Sequence, residues 1–164
     1  MLGVDPGLAV TGLAAVSETE GRARVLWSDA VRTPSGLAEP HRLRRLAEAV
    51  RDAIRTHGPR AVAVEAVMWG QNKTSALSVS RATGVILLIA AEAGIPVQEY
   101  APLEVKMAIT GVGNAEKDRV RRTMARAHRV DGVPDQPDAA DAAAVALCHL
   151  HQSRMRRAGV VGAR

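Results

Sequence analysis

Four carboxylates stand where a carboxylate is hard to explain by structure alone. Asp5 closes the apolar run Met1-Leu2-Gly3-Val4, and Glu65 closes Ala61-Val62-Ala63-Val64. Asp138 and Asp141 lie about one helical turn apart in a segment of alanines that begins at Pro137. A short Val-rich apolar run reads as a buried strand, so an acid at its end faces the rim of a sheet and not its core. Residues at i and i+3 share a helix face, so Asp138 and Asp141 can converge on one point. Four acids at one point repel one another and take up protons unless positive charge sits among them. Divalent cations held by oxygen are the natural occupants. Magnesium, which keeps several waters in an octahedral shell, suits such a set better than zinc, and manganese is a plausible substitute. With two such ions about 4 Å apart, a water is activated as nucleophile and the leaving oxygen is stabilised, which is the chemistry of phosphodiester hydrolysis.

Each acid taken alone has a plainer account. Asp5 before Pro6-Gly7 can cap a turn, Glu65 can end a strand at solvent, and Asp138 with Asp141 matches a helix-capping pattern. Those accounts must all hold independently, whereas one metal site explains the set.

The elements that would position these acids follow from pattern. Asp5-Pro6-Gly7 is a turn, Leu8 to Val16 can return antiparallel to the first strand, and Arg24 to Val31 reads as a third strand. From His41 to His57, Leu43, Leu46, Ala47, Val50 and Ile54 recur at helical spacing, and Gly58-Pro59 stops the helix. The strand ending at Glu65 is followed by a polar loop and a long helix from about Thr74 to Ala93. That helix is apolar on most sides between Val85 and Ala91, which predicts deep burial or contact with a second subunit. Ile95 to Tyr100 reads as a strand and Pro102 to Ile109 as a short helix. A helix from about Ala115 to Arg129 and a last one from Asp138 to about Met155 complete the reading, with a frayed basic end from Arg154. Early strands followed by alternating helices and strands imply an α/β sheet of mixed direction. One nuclease domain is expected over residues 1–155, with 156–164 as a flexible basic tail.

Composition narrows the class. The chain has 164 residues, 47% of them apolar but only 2% aromatic and none Phe, so the core must be built from Ala, Val, Leu and Ile. A single cysteine excludes an intramolecular disulfide, and no Cys/His spacing suits zinc, which fits a reducing, cytoplasmic setting. No apolar stretch approaches the roughly 20 residues that span a bilayer, and no signal region opens the chain. A formal charge of +5 points to a polyanionic partner, nucleic acid first among them.

With these residues in hand the chain resembles the RuvC-type crossover junction endodeoxyribonucleases of the ribonuclease H-like superfamily. The matching segments run in family order: Leu2-Gly3-Val4-Asp5-Pro6-Gly7-Leu8, Val62-Ala63-Val64-Glu65 with Asn72, Ser75 and Ala76, then Gly84, Val105-Lys106, Gly111-Val112-Gly113 with Ala115-Glu116-Lys117, and Ala139-Ala140-Asp141-Ala142. The resemblance implies a five-stranded mixed sheet, its first three strands antiparallel, with helices on both faces. It implies a homodimer that binds four-way (Holliday) junctions and nicks two strands of like polarity in recombination and repair. It also implies cooperation with the RuvA and RuvB branch-migration proteins. By position, Asp5, Glu65, Asp138 and Asp141 would be the metal ligands, and Lys106 and Lys117 would lie near the scissile strand, steadying phosphate or developing negative charge. Some relatives have His where this chain has Asp138. Family members usually carry a Phe shortly after the glutamate, thought to stack on an unpaired base; this chain has Met68-Trp69, and Trp69 offers a ring.

Further DNA contacts are expected from Gln71, Asn72 and Lys73 beside Trp69, and from a basic stripe of Arg119, Arg122, Arg126 and Arg129 opposite a packing stripe of Val120, Met124 and Ala127. Three other readings share parts of the pattern: an actin-like or sugar-kinase-like ATPase, a junction-binding module that does not cut, and a nuclease acting on RNA in hybrids. The ATPase needs a second phosphate-binding lobe, for which the chain is short. A pure phosphate binder would gain by losing its acids.

Overall fold

The computed structural model describes residues 1–67 and 73–159, and side chains from residue 76 onward in the second span. Five strands form one sheet: β1 (Leu2–Asp5), β2 (Val10–Thr19), β3 (Arg22–Arg32), β4 (Val62–Glu65) and β5 (Val97–Tyr100), in the order β3-β2-β1-β4-β5. β1 and β2 pair antiparallel, as do β2 and β3, whereas β4 joins β1 parallel and β5 joins β4 parallel. The mixed sheet with three antiparallel leading strands is thus present. Met1 lengthens the short first strand, its amino group donating to the Val16 carbonyl at 2.8 Å and its own carbonyl accepting from the Val16 N–H at 2.9 Å.

Helices cover both faces. On one, α1 (Glu39–His57) and α2 (Lys73–Glu92) pack Leu46, Val50, Ala82, Ile86 and Ile89 against Leu2, Val4, Leu13, Val62 and Val64. On the other, α3 (Pro102–Thr110), α4 (Lys117–Arg126) and α5 (Pro137–Arg157) pack Val105, Ile109, Val120 and Met124 with the alanine run of α5 over Ala14, Val16 and Ala63. The core is aliphatic, with Tyr100 as its one buried aromatic among the described residues. The Tyr100 hydroxyl meets His149 Nδ1 at 2.8 Å beneath α5, which gives that polar group a partner inside the core.

Small residues set how closely α5 lies on the sheet. Ala139, Ala140, Ala142, Ala143, Ala144 and Ala146 are all buried. A Cβ on Gly3 would collide with the Ala142 carbonyl oxygen, and a Cβ on Gly12 with that of Asp138. The helix therefore rests on bare backbone of β1 and β2, and it does so over the turns that carry Asp138 and Asp141.

Several boundaries differ from the sequence expectation. α4 stops at Arg126, Ala127 is exposed instead of packed, and Arg129 lies beyond the helix with a left-handed φ of 51°, so it leaves the expected basic stripe. The connection after α4 pairs with the edge of β3, the Val25 N–H donating to the Asp131 carbonyl at 2.9 Å, and this attachment draws the chain out of helical geometry. The fraying expected from Arg154 is also absent there: α5 runs to Arg157, and Arg154 pairs with Glu18 and donates to the Gly21 carbonyl at 2.9 Å. No described helix is long and apolar enough to cross a membrane.

Substituting Gly3 or Gly12 by Ala should cost about 2 kcal/mol or more, because the added methyl meets helix backbone that cannot rotate aside. Chemical denaturation monitored by circular dichroism checks this, and a midpoint within error of the parent would contradict the close seat of α5.

Candidate functional site

The parallel pairing of β1 with β4 brings their carboxyl ends to the same edge of the sheet. Val4 lies opposite Val64, so Asp5 and Glu65 emerge as neighbours one residue further on. The turn after Asp5 is fixed in detail. The Thr11 hydroxyl donates to the Gly7 carbonyl at 2.6 Å, and a Cβ on Gly7 would strike the Val10 carbonyl oxygen. The Thr33 hydroxyl donates to the Leu8 carbonyl at 2.5 Å. These bonds hold Asp5 on a rigid corner instead of a loose loop.

α5 delivers the third acid to this edge. Asp5, Glu65 and Asp141 line one cavity of about 170 Å³ together with Lys106 from α3 and Lys117 from the first turn of α4. Pro102, Val105, Val120 and Ala144 form its apolar wall. Lys117 Nζ donates to Asp141 Oδ2, and the lysine side chain is 71% exposed while that of Asp141 is 18% exposed.

Asp138 stands at the border. It does not line the cavity, although its charge still bears on Asp5. The reason is Gln136, which precedes Pro137 and caps α5: its Oε1 accepts from the Ala139 N–H at 2.6 Å, and its Nε2 donates to Asp138 Oδ2 at 2.6 Å. Asp138 is therefore not the helix cap that the plainer reading assigned to it. Among the described residues, no three acidic, histidine or cysteine side chains are gathered tightly enough to chelate an ion as they stand. Lys117 and Gln136 each hold one of the acids instead.

The electrostatics match this crowding. Burial pushes the Asp5 carboxyl up to about 7, with the negative charges of Glu65 and Asp141 adding to the effect. Glu65 is raised for the same two reasons, burial first and Asp141 next. Lys117 is raised, chiefly by its hydrogen bond to Asp141. The site is an acidic cluster with one ammonium group inserted into it.

Other expected contacts fall as follows. Arg119, Arg122 and Arg126 are exposed on α4, the helix that begins at Lys117. Arg121 is engaged elsewhere, donating to Asp135 at 2.7 Å. Met68, Trp69, Gln71 and Asn72, and the side chain of Lys73, lie outside the described residues. Sequence reasoning missed Gln136, whose only signal is its place before Pro137 at a helix start, and missed the contact role of Gly12.

The Asp5 shift has a consequence for stability. A carboxyl raised from 3.8 to about 7 binds a proton in the folded chain that the unfolded chain has released. Between those values stability therefore falls as pH rises, and above about 7 the folded state carries the full cost of the buried charge. In metal-free buffer at pH 8, Asp5→Asn should raise the melting temperature by roughly 3 °C, the equivalent of about 1 kcal/mol for a chain of this size. Calorimetry at pH 8 and pH 5 checks it, since the gain should shrink at the lower pH; a lower melting temperature at pH 8 would contradict the crowding.

The family model described as crossover junction endodeoxyribonuclease RuvC matches residues 1–149. A crossover junction endodeoxyribonuclease RuvC of Rubrobacter xylanophilus is 43% identical over 162 residues, covering 99% of this chain and 90% of the relative. One from Syntrophomonas wolfei is 40% identical over 155 residues, covering 94% and 90%. The fold superposes on T. thermophilus RuvC in complex with Holliday junction substrate with a TM-score of 0.86 and 33% identity, covering 97% of this chain and 95% of that one. The chain belongs to the RuvC family of crossover junction endodeoxyribonucleases.

Proposed function

We propose that this protein resolves four-way DNA junctions as a homodimeric, cytoplasmic endodeoxyribonuclease, nicking two strands of like polarity by hydrolysis of a phosphodiester in each. The observation that carries the reading is the convergence of Asp5, Glu65 and Asp141 with Lys106 and Lys117 in one cavity, in a chain of this family. The relatives are named crossover junction endodeoxyribonucleases, and one of them has been seen with a Holliday junction.

The donor set suits a hard divalent cation. It is all carboxylate oxygen, and a cation would relieve the Asp5 carboxyl, which burial and then the charges of Glu65 and Asp141 push upward. Asp5, Glu65, Asp138 and Asp141 would hold the ions, two magnesium ions in this reading, with manganese able to substitute. Bound there, the ions supply an activated water and charge stabilisation at the leaving oxygen. The protein's own residues do the rest. β1 and β4 fix two acids on a rigid edge, and α5 presents the other two. Lys117, mostly exposed, is free to leave Asp141 for an incoming phosphate, and Lys106 lines the same cavity from α3. Arg119, Arg122 and Arg126 add positive charge on the exposed face of α4, along which flanking backbone would pass. The loop with Met68, Trp69, Gln71, Asn72 and Lys73 is assigned to the junction centre, with Trp69 stacking on a base.

The dimer reading rests on α2. Its inner face carries Ala82, Ile86, Ile89 and Ala90 into the core, while Leu77 and Leu88 are 47% and 58% exposed and Gly84 has no neighbour within 4 Å of an added Cβ. Positions 77, 84, 88 and 91 share one helix face, an apolar stripe fitted to a second copy. Two copies place two cavities on one junction. Cooperation with RuvA and RuvB belongs to the same reading.

The decisive assay compares a four-way junction, a linear duplex and an RNA–DNA hybrid, each with magnesium. Paired symmetric nicks in the junction alone are expected. Asp5→Asn and Glu65→Gln should each reduce cutting by more than roughly 100-fold while leaving junction affinity within a few-fold. Leu88→Glu should sediment as a monomer and lose paired nicking. Undiminished cleavage by either acid variant, or preferential cutting of the hybrid, would overturn the assignment.

A further inference from the structure

Two recesses larger than the carboxylate cavity meet at Arg154. One, of about 780 Å³, lies between α3 and the last turns of α5 and is lined by Met107, Ala108, His151 and Met155, with Glu104 and Gln152 as its polar members. The other, of about 830 Å³, lies at the end of the sheet opposite Asp5, bordered by Met1, Leu26, Arg60 and Arg157. Arg154 borders both. It stands roughly 20 Å further along α5 than Asp141, so this surface is remote from the proposed cleavage site.

The two recesses differ in chemistry. The first exposes soft apolar side chains: Met107 is 50% and Met155 43% exposed, large values for residues that gain nothing from water. Methionine adapts its shape to irregular apolar partners. The second is basic. It is so only on balance: its acids are Glu18, paired with Arg154, and Glu20, and against them stand Arg60, Arg154, Arg157 and the Met1 amino group, the last donating to the Val16 carbonyl. Arg60 and Arg157 have no carboxylate partner among the described residues. Leu26, 58% exposed, lines the same wall.

From this pairing we infer a docking surface for an acidic amphipathic segment of a partner protein. Its apolar side chains would enter the methionine-lined recess, and its carboxylates would meet Arg60 and Arg157. A second copy of this chain is disfavoured, because a two-fold contact would set two recesses of net positive charge against each other. DNA is disfavoured as well, since a phosphate backbone has no use for a methionine-lined hollow. A helix laid in a groove satisfies both recesses with one element.

The probe is a labelled synthetic peptide with Leu at helical i, i+3, i+4 and i+7 positions and Glu elsewhere, titrated into the full-length protein by fluorescence anisotropy. A scrambled peptide of the same composition and junction DNA serve as comparisons. Saturable binding at least about tenfold tighter than the scrambled peptide is expected, weakened about tenfold or more by Met155→Glu and by Arg60→Glu with Arg157→Glu. Junction cleavage should be unchanged in these variants, and melting temperatures establish that each is folded. Arg157→Gln, a milder change, should weaken the peptide in the same direction. Equal affinity for the scrambled peptide, or indifference to the substitutions, would overturn the inference. Loss of junction affinity matching the loss of peptide affinity would reassign the surface to nucleic acid.

Discussion

The seat of α5 on glycine backbone is the constraint on which the candidate site depends. Asp5 and Glu65 need only a parallel strand pair to become neighbours, and β1 and β4 supply it. Asp141 has no such local route. It arrives from far along the chain, and it reaches Asp5 only because Gly3 and Gly12 let the helix backbone approach where any side chain would hold it off. The alanine run serves the same end from the other side, since Leu or Ile at the buried Ala142 or Ala146 would hold the helix away from the sheet. Packing and chemistry are coupled here: the surface that gives α5 its burial also places its acid.

Bringing these acids together opposes folding, and the chain carries its own partial remedy. Lys117 inserts an ammonium group beside Asp141, and Gln136 ties Asp138 to the helix cap. Neither contact removes the pressure on Asp5, whose carboxyl remains well above its ordinary range. A buried acid in that condition has little structural purpose, because a neutral side chain of similar size would pack there without the electrostatic cost. Retaining it makes sense where a cation completes the charge balance. In the proposed reading the exposed Lys117 would have a second use, as a cation transferred to phosphate once Asp141 is otherwise engaged.

Much of this was legible in the sequence, and the limits are instructive. Asp5 and Glu65 announce themselves because each ends a Val-rich run, a pattern whose period and length leave few alternatives. The helix over Leu46 and Val50 is equally plain from its spacing. Asp141 could be placed on a helix face, but its distance from Asp5 is a tertiary fact that no local pattern encodes. Gly12 reads as an unremarkable glycine in a strand until α5 is seen crossing it. Periodicity alone places Arg129 in a helical stripe, yet the pairing of Asp131 with β3 overrides local preference and ends α4 earlier. Gln136 carries little signal, because glutamine is an uncommon cap and its double role depends on the position of Asp138.

The central claim, that acids from both ends of the chain form one cation site, is most directly tested by anomalous diffraction from crystals soaked in manganese. The account predicts anomalous density bounded by Asp5, Glu65 and Asp141, with Lys117 withdrawn from Asp141. Density confined to other surface carboxylates, with the Lys117–Asp141 pair intact at saturating manganese, would contradict it.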